Sequence, residues 1–425
     1  MGIVGTLAYF DHTYKTVSGQ MTDSDKDNNF TRYFSTLFPT SALFDFYSVY
    51  CGERPENREF CLEAEDWRRR FEEVDSSNKL ASLVKTRGLR ALHAGAVYSD
   101  RVSFARRSGV VSQHKELVFD LDLQDNTWVA GEKSDMAHND RFMPLLFASA
   151  NILKVVLEQV FGFSQFMLVY SGRRGVHLYT LDSRAFKLTS EARKAICALV
   201  SLPPRATTAA SDTSPFLSTN LNPSLNISEV HDAVDAAWAV ATGTGDGMCN
   251  MLSSRVDIMK FAHLFCSWRD FEPSKKQAKD ENSDTNNRPP PRKLPTAQNV
   301  IAELSQCSAE ERLPRLARLN PYAARDLALS IVWPRLDAEV TSSLQHTIKT
   351  PFSLHAATQR VALPLGVDAC LRGWKPSNAA LEAPEFENGY RNGVDILKKA
   401  ALEMRRRQSL EKKRGREENT CEASW

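Results

Sequence analysis

ELVFDLDL, residues 116–123, alternates between two kinds of side chain along an extended segment. Leu117, Phe119 and Leu121 fall on one face and can pack against a core, whereas Asp120 and Asp122 fall on the other face. The two carboxylates are about 7 Å apart along the strand, close enough to bind the same divalent cation. A half-exposed edge strand with solvated acids has the same pattern, so this stretch alone leaves both interpretations open.

Length and composition indicate an ordinary globular protein with more than one compact unit. The 425 residues suffice for two or three domains at about 150 residues each, with 42% hydrophobic and 25% charged residues. Because the net charge is only +2, a nucleic-acid-binding surface would be a local patch. Eight cysteines without a C-x-x-C pair indicate a reducing compartment and no zinc motif. The most apolar run, residues 145–163, is interrupted by polar residues, so we predict no membrane span.

Hydrophobic periodicity predicts helices and strands before residue 186 and mainly helices after it. Helices are predicted over 30–38, 43–50 and 142–160, and strands near 57–60, 94–98, 117–122, 166–170 and 176–181. We expect the strand at 94–98 to lie beside the Asp-bearing strand in one sheet. Further helices are predicted near 229–241, 251–268 and 297–330, with strands returning at 329–336 and 359–365. The three arginines at 68–70 fit either a solvated helix face or a phosphate-facing patch.

A glycine-bracketed turn carries the second informative pattern, SGRRGVH at residues 171–177. Its glycines permit a tight turn and a close approach of backbone N–H groups. Arg173 and Arg174 offer planar guanidinium forks for phosphate oxygens, and His177 adds a further donor. An ordinary charged surface turn would look the same in isolation.

The third pattern joins an acid at the end of an apolar run to a basic cluster. WPRLD ends at Asp337, and HTIKTPFSLH follows over residues 346–355. Asp337 would supply a third carboxylate for metal. His346, Lys349 and His355 would bind a triphosphate. Taken one at a time, the aspartate also fits a structural acid and the histidines fit satisfied loop residues.

Together the three patterns describe one chemistry. Three acids can hold two divalent metal ions, while arginines, a lysine and histidines neutralise a triphosphate. No cysteine or serine nucleophile is indicated. The combination predicts nucleotidyl transfer, in which positioning and charge compensation supply most of the catalysis. It requires the carboxylates of Asp120, Asp122 and Asp337 to approach within roughly 4–7 Å of one another.

In this order the segments resemble the signature motifs of the small catalytic subunit of eukaryotic-type DNA primase, within the archaeal/eukaryotic primase superfamily. The resemblance rests on ELVFDLDL, SGRRGVH, WPRLD and HTIKTPFSLHAATQRVALPL, with NREF at 57–60 and GAVYS at 95–99 also matching. It covers roughly residues 25–400. It implies an α/β (α+β) class: a primase catalytic fold with two small mixed β-sheets and flanking helices, plus an inserted all-helical subdomain.

The resemblance also implies a domain order. Residues 30–185 and 329–400 would form the two parts of the catalytic core, separated by a helical subdomain at 186–328 with disordered inserts near 203–228 and 272–295. Composition, independently of the resemblance, predicts a poorly ordered N-terminal extension at 1–29 and a basic disordered tail at 401–425. Residues 398–416 hold nine Lys and Arg against two Glu, an excess of +7 that suits a solvated helix, a nuclear-import signal or a nucleic-acid contact.

Site residues carry over from the family by position. Asp120, Asp122 and Asp337 resemble the catalytic ligands of two Mg²⁺ or Mn²⁺ ions, and Glu59 matches a further catalytic acid. The matching nucleotide-binding positions are Ser171, Gly172, Arg173, Arg174, Gly175, Val176, His177, His346, Thr347, Ile348, Lys349 and His355, with Arg70 an ambiguous match within 68–70.

One departure from the family concerns zinc. Members usually carry a knuckle of clustered cysteines shortly after the second aspartate, but here no cysteine lies between Cys61 and Cys197. His138 is the single candidate ligand of Cys or His type in that loop. We therefore predict that no structural zinc is bound, and that packing of Trp128 and Val129 and hydrogen bonds hold the loop.

The resemblance implies a function and a set of partners. The chain would be a DNA-directed RNA polymerase that makes short RNA primers on single-stranded DNA from ribonucleoside triphosphates during replication in the nucleus. Its partners would be the large iron–sulfur primase subunit and the DNA polymerase α complex, without a membrane. Two alternatives stay open: a primase-polymerase that prefers deoxynucleotides in lesion bypass or repair, and an inactive nucleic-acid-binding scaffold. Three acids that repel one another without metal argue against the scaffold.

Overall fold

The structure is a computed structural model and describes residues 23–129, 131, 135–201, 223–243, 248–251, 262, 297–319, 321–366 and 373–422. The chain divides into two compact units: Met1–Met143, Phe161–Cys197 and Arg335–Trp425 form the first, and Pro144–Val160 and Ala198–Pro334 form the second. Most of the extension predicted at 1–29 and of the insert near 203–228 lies outside the described residues. So do the whole insert near 272–295 and nearly all of the helix predicted at 251–268.

Helices and strands alternate before residue 186, and helices dominate after it, as the hydrophobic periodicity predicts. The helices are α1 (Asp23–Thr36), α2 (Thr40–Ser48), α3 (Ser77–Leu83), α4 (Met136–Phe161), α5 (Ser183–Phe186), α6 (Ser190–Val200), α7 (Ser228–Thr242), α8 (Ala297–Gln306), α9 (Ala309–Leu319), α10 (Pro321–Val332), α11 (Ala338–Ser342) and α12 (Phe386–Glu422). The strands are β1 (Arg58–Glu63), β2 (Arg68–Glu72), β3 (Ala91–Tyr98), β4 (Ser112–His114), β5 (Leu117–Asp122), β6 (Phe166–Tyr170), β7 (Gly175–Thr180), β8 (Ile348–Lys349) and β9 (Pro364–Leu365).

The strands of the first unit form two small sheets. The first has the order β2-β1-β3-β4, with β8 also paired to β3, and the second has the order β5-β7-β6-β9. The predicted fold class, two small sheets with flanking helices, is confirmed. Every pairing between the described strands is antiparallel, so neither sheet mixes strand directions.

The expectation that the strand at 94–98 and the Asp-bearing strand share a sheet is wrong. The former is part of β3, which pairs with β1, β4 and β8, whereas the latter is β5, which pairs with β7 in the second sheet. The short strand β4 takes the position beside β3. Lys115 and Glu116 then carry the chain across to the second sheet.

Aromatic side chains on α1 and α2 form part of the core of the first unit. Phe30, Tyr33 and Phe34 on α1 and Phe46 and Tyr47 on α2 are all at most 3% exposed. Burying each of these rings contributes roughly 1.5–3 kcal/mol. The Tyr33 hydroxyl donates to the carbonyl of Phe352 at 2.8 Å, which ties α1 to the segment after β8.

The tail predicted to be disordered from residue 401 is instead helical as far as Glu422. Helix α12 packs on α2 and β9. Its buried residues Leu397, Ala401 and Met404 are spaced four and three residues apart, so they lie on one face. The apolar stripe therefore extends past the predicted boundary at residue 401, and its burial stabilises the helix there.

Every described element of the second unit is helical. The strand predicted at 329–336 is wrong, because α10 continues to Val332. Short apolar runs fit a buried helix as well as a strand. The Trp333 indole N–H donates to the Val200 carbonyl at 2.8 Å, and the Ser149 hydroxyl donates to the Val332 carbonyl at 2.7 Å.

Helix α4 is, by length and composition, the one described helix that could cross a membrane. Half of its most apolar window is buried. A core helix of a globular protein has the same property, so α4 is weak support for a membrane span.

Candidate active site

A cleft of about 330 Å³ in the first unit is lined by residues from both sheets. Asp120 and Asp122 of β5 line it, as do all predicted nucleotide-binding residues except Gly172, Val176 and Arg70. The structure thus brings together side chains from three separate stretches of the sequence. Three further residues that line the cleft were not predicted as site residues: Arg68, His93 and Val340.

The three predicted metal-binding acids meet at one edge of the second sheet. Asp120 and Asp122 point to the same side of β5, since strand side chains alternate. The backbone N–H of Asp337 donates to the Asp120 carbonyl at 3.1 Å, although more than two hundred residues separate them. The Asp337 carboxylate caps α11, because its Oδ1 accepts from the N–H groups of Glu339 at 3.0 Å and Val340 at 3.4 Å.

Asp120 is in an unfavourable electrostatic environment for a carboxylate. Burial, Asp122 and Asp337 together raise the pKa of Asp120 to about 7. Within the described part of the chain its carboxylate accepts no hydrogen bond, and the nearest cationic candidate is Nε2 of His177, 3.7 Å from Oδ1. A cation bound beside Asp120 would therefore stabilise its ionised form, and no described side chain forms a hydrogen bond or close ion pair with it.

Asp122 differs from Asp120 because it has a counter-charge. Arg174 Nε lies 2.7 Å from Oδ1 and 2.9 Å from Oδ2 of Asp122, and the N–H of Gln124 donates to Oδ1 at 2.8 Å. No three acidic, histidine or cysteine side chains in the described ranges are already grouped as a metal site. Arg174 thus binds Asp122 where a metal ion would compete with it.

Basic residues also line the cleft, and one of them, His177, lies opposite Asp120 in the pairing of β5 with β7. Burial and Lys349 are leading causes that lower the pKa of both His177 and His355 to about 3, with Arg173 and Arg174 adding to the effect at His355. Burial also lowers the pKa of Lys349. Both histidines are therefore neutral at physiological pH, and a polyanion in the cleft would favour the charged forms of the neighbouring basic groups.

Gly172 allows the turn of residues 171–175 to approach the segment around His355. Its φ is +97°, and a Cβ at this position would lie 2.8 Å from the Cβ of His355 and 3.0 Å from the Arg360 carbonyl oxygen. The Thr358 hydroxyl donates to the Gly172 carbonyl at 2.6 Å. This close contact brings His355 into the cleft beside the two arginines.

Glu59 and Arg70 lie outside the cleft lining. Glu59 is fully buried, and Arg70 donates to both of its carboxylate oxygens, at 2.6 and 3.0 Å. Arg70 also donates to the Gln345 carbonyl at 2.9 Å, just before His346. The pair therefore contacts the backbone at the start of the basic segment 346–355 and does not line the cleft itself.

The arginine run at 68–70 is on strand β2 and not on a helix. Alternation along a strand places Arg68 and Arg70 on the same face, so it does not distinguish them. Arg68 lines the cleft and donates to the Thr347 hydroxyl at 2.6 Å, whereas Arg70 pairs with Glu59. The sequence identified the run but not which arginine faces the cleft.

The loop in which the family carries zinc ligands is held by local contacts. His138 Nε2 lies 2.6 Å from the Val129 carbonyl oxygen, Val129 is buried, and the Trp128 N–H donates to Asn126 Oδ1 at 3.1 Å. Residues 130 and 132–134 lie outside the described ranges. The absence of zinc stays a prediction.

Comparison with known sequences decides the family. The profile of the DNA primase small subunit family matches residues 119–367, more than half of the chain. The chain belongs to the DNA primase small subunit family. The matched region contains both aspartates of β5, the 171–177 turn, Asp337 and the basic segment at 346–355. Glu59 and Arg70 precede it.

Individual primase small subunits show how far the likeness extends. The chain is 28% identical to the DNA primase small subunit of Schizosaccharomyces pombe over 288 residues, which is 64% of this chain and 58% of the relative. It is 25% identical to the Drosophila melanogaster protein, covering 79% of this chain and 76% of the relative, and 24% identical to the Saccharomyces cerevisiae protein, covering 81% and 84%. The polymerase domain of Mycobacterium tuberculosis ligase D in complex with DNA aligns with a TM-score of 0.37 and 14% identity, covering 90% of this chain and 98% of that chain.

Proposed function

We propose that this primase-family chain is a nucleotidyltransferase that synthesises short RNA primers on single-stranded DNA by two-metal transfer. The observation that carries the proposal is that mutually repelling acids and a set of basic residues lie together at one cleft. The acids on β5 and at the N-cap of α11 repel one another, and the basic groups that line the cleft disfavour one another's charged forms. Divalent cations and a nucleoside triphosphate would relieve both repulsions at once.

The acids fit divalent cations by their chemistry. Carboxylate oxygen is the donor that Mg²⁺ and Mn²⁺ prefer, and Asp120 presents a carboxylate that accepts no hydrogen bond from the described residues. Asp120, Asp122 and Asp337 would hold the ions. When bound, the ions neutralise charge on the attacking and leaving oxygens.

The chain's own basic residues would bind and orient the triphosphate. Arg173 and Lys349 line the cleft and would carry positive charge to the phosphate oxygens. His177 and His355, neutral because of their lowered pKa values, would donate single hydrogen bonds. Phosphate binding would raise the pKa of Lys349 again and so stabilise its charged form.

The proposed partners follow from family membership. A small subunit implies a large subunit. We propose that the partners are the iron–sulfur primase subunit and the DNA polymerase α complex, and that the chain acts in the nucleus. Co-purification of the full chain with the large subunit tests the first of these. Recovery of the small subunit alone, from cells that express both, would contradict it.

Primer synthesis on poly(dT) tests the activity. We expect short products from ATP with Mg²⁺ or Mn²⁺, and none after chelation with EDTA. Longer or faster extension with dATP than with ATP would favour the lesion-bypass alternative. DNA binding without synthesis from either nucleotide would favour the scaffold alternative.

We expect lysine substitutions of the two adjacent arginines to have different effects. Arg173→Lys keeps the charge but loses the planar fork, so the apparent KM for ATP should rise by about tenfold, the equivalent of one charge-assisted hydrogen bond. Arg174→Lys removes the Nε contact with Asp122, so it should change the Mn²⁺ concentration needed for half-maximal activity. Steady-state titrations of ATP and of Mn²⁺ measure the two effects.

Arg184→Lys is the matched control, because Arg184 donates to the Gly162 carbonyl and does not line the cleft. It should change neither titration. An ATP KM for Arg173→Lys equal to that of the unmodified chain would remove Arg173 from the nucleotide site.

A further inference from the structure

Helix α11 carries Asp337 at its N-cap and is only five residues long. A helix of this length is not stable by itself, because nucleation is unfavourable and few hydrogen bonds form. Contacts with neighbouring elements must therefore fix its position. The position of Asp337 relative to Asp120 and Asp122 depends on those contacts.

Three tethers join α11 to β5 and to the residues just before it. At the N-terminal end, the Asp337 N–H donates to the Asp120 carbonyl at 3.1 Å. In the middle, the Thr341 hydroxyl donates to the Val118 carbonyl at 2.9 Å. At the C-terminal end, Lys115 Nζ donates to the carbonyls of Val340 at 3.1 Å and Ser343 at 3.3 Å.

Lys115 is an unusual residue for this position because it is only 1% exposed. Burial and Arg193 lower the pKa of Lys115 to about 7, so maintaining an ammonium group there is unfavourable. The ammonium group meets carbonyls at and just beyond the last turn of α11, where a cation interacts favourably with unsatisfied carbonyls and the helix dipole. Lys115 precedes Asp120 by five residues in the same segment, so it links both acid-bearing elements.

We propose that Lys115 is a positioning residue. By anchoring the C-terminal end of α11, it holds the Asp337 carboxylate close to those of Asp120 and Asp122. At the N-terminal end of α11, one backbone hydrogen bond, from Asp337 to Asp120, joins the helix to β5. With both ends fixed, α11 cannot rotate its N-cap away from β5. The metal-binding part of the inference rests on the proposed function, whereas the anchoring of α11 does not.

Lys115→Met tests the proposal because methionine has a similar length but no donor. The affinity of the chain for Mn²⁺, measured by electron paramagnetic resonance without nucleotide, should fall by about 10-fold or more, as is usual when a group that supports a metal ligand is removed. The KM for ATP should change much less than the Mn²⁺ requirement. Amide hydrogen exchange over Ala338–Ser342 should accelerate in the metal-free protein.

Thr341→Val is a second variant that removes a different tether and leaves Lys115 in place. It should weaken Mn²⁺ binding in the same direction, and it keeps the proposal testable if Lys115→Met does not fold. Lys154→Met is the control, because this lysine pairs with Glu158 on α4 in the second unit. It should leave Mn²⁺ affinity and the exchange of α11 unchanged.

Two results would overturn the inference. One is unchanged exchange over Ala338–Ser342 in the Lys115 variant, which requires neither metal nor activity. The other is a lower melting temperature with unchanged Mn²⁺ affinity in both Lys115→Met and Thr341→Val. Lys115 and Thr341 would then stabilise the fold without positioning Asp337. Failure of the proposed function would look different: the unmodified chain would bind Mn²⁺ with an ordered α11 and yet make no primers.

Discussion

Replacing Asp120 with alanine should abolish nucleotide addition by the chain while leaving its fold intact. Asp120 is the acid whose carboxylate lacks a hydrogen-bond donor among the described residues and whose pKa the neighbouring acids raise to about 7. Its removal would leave the developing charge of the transition state without a metal ligand, so the rate should fall by about a thousand-fold or more. A primer-extension assay with Mn²⁺ measures the loss, and circular dichroism verifies the fold.

The companion variant Asp120→Asn should be more stable than the unmodified chain in the absence of metal. The pKa of Asp120 is about 7 in the folded state and near 3.8 in the unfolded state. Between these values the unfolded chain has released a proton that the folded chain keeps, so the free energy of unfolding falls as pH rises. The loss is complete above about pH 7, where Asn should stabilise by about 1–3 kcal/mol after allowance for solvent screening.

This advantage of asparagine should shrink as the pH falls and disappear below the unfolded-state pKa of 3.8, where Asp120 is protonated in both states. Saturating Mn²⁺ should also remove it, since the ion stabilises only the chain that retains the carboxylate. Thermal unfolding at several pH values, with and without Mn²⁺, measures both trends. Substantial nucleotide addition by Asp120→Ala, or a pH-independent effect of Asp120→Asn, would contradict the role assigned to this acid.

The elements that the sequence predicted well are those with a strong local signal. The alternation of ELVFDLDL places Leu117, Phe119 and Leu121 in the core, and each is fully buried. Strand β6 has the bounds predicted for it, and α4 covers the predicted amphipathic helix. In each case periodicity and flanking residues point to the same structure, so no tertiary contact is needed to decide it.

The sequence could not predict features that depend on long-range pairing. Nothing local in β3 or β5 indicates that one pairs with β1 and the other with β7. His93 reaches the cleft because β3 pairs with β8 in a register that sets His93 opposite Lys349. A histidine in an apolar strand gives no local signal of such a role, so only the register between distant strands identifies it.

Glu59 illustrates the limit of carrying a role over from a family motif. The position matches a family acid, but the Glu59 side chain is fully buried and pairs with the partly exposed Arg70. A Cβ on Gly95 would lie 2.4 Å from Glu59 Oε2, so the packing of β3 against β1 requires a glycine there. Contacts of this kind between strands decide whether an acid faces a cleft or a core, and a motif does not contain them.

A buried ion pair between the sheets gives the largest expected effect on stability. Arg58 at the start of β1 and Glu116 just before β5 are 1% and 6% exposed, and Arg58 Nη2 donates to both carboxylate oxygens of Glu116. The guanidinium group also lies 4.9 Å from the ring centroid of Tyr47 on α2, and Arg193 donates to the Glu116 carbonyl at 3.0 Å. The pair thus connects the first sheet to β5, the strand that carries Asp120 and Asp122.

Removing one partner should leave the other charge buried without compensation. We expect Arg58→Met to lower the free energy of unfolding by about 3–5 kcal/mol, measured by urea denaturation with two probes so that a cooperative transition can be verified. The double variant Arg58→Met with Glu116→Leu should recover most of this loss, because no unpaired charge remains. Arg101→Met is the control: Arg101 lies 3.2 Å from Glu73, and their side chains are 54% and 27% exposed, so the loss should be at most about 1 kcal/mol. Equal losses in the single and double variants would mean that packing, and not charge pairing, holds β1 to β5.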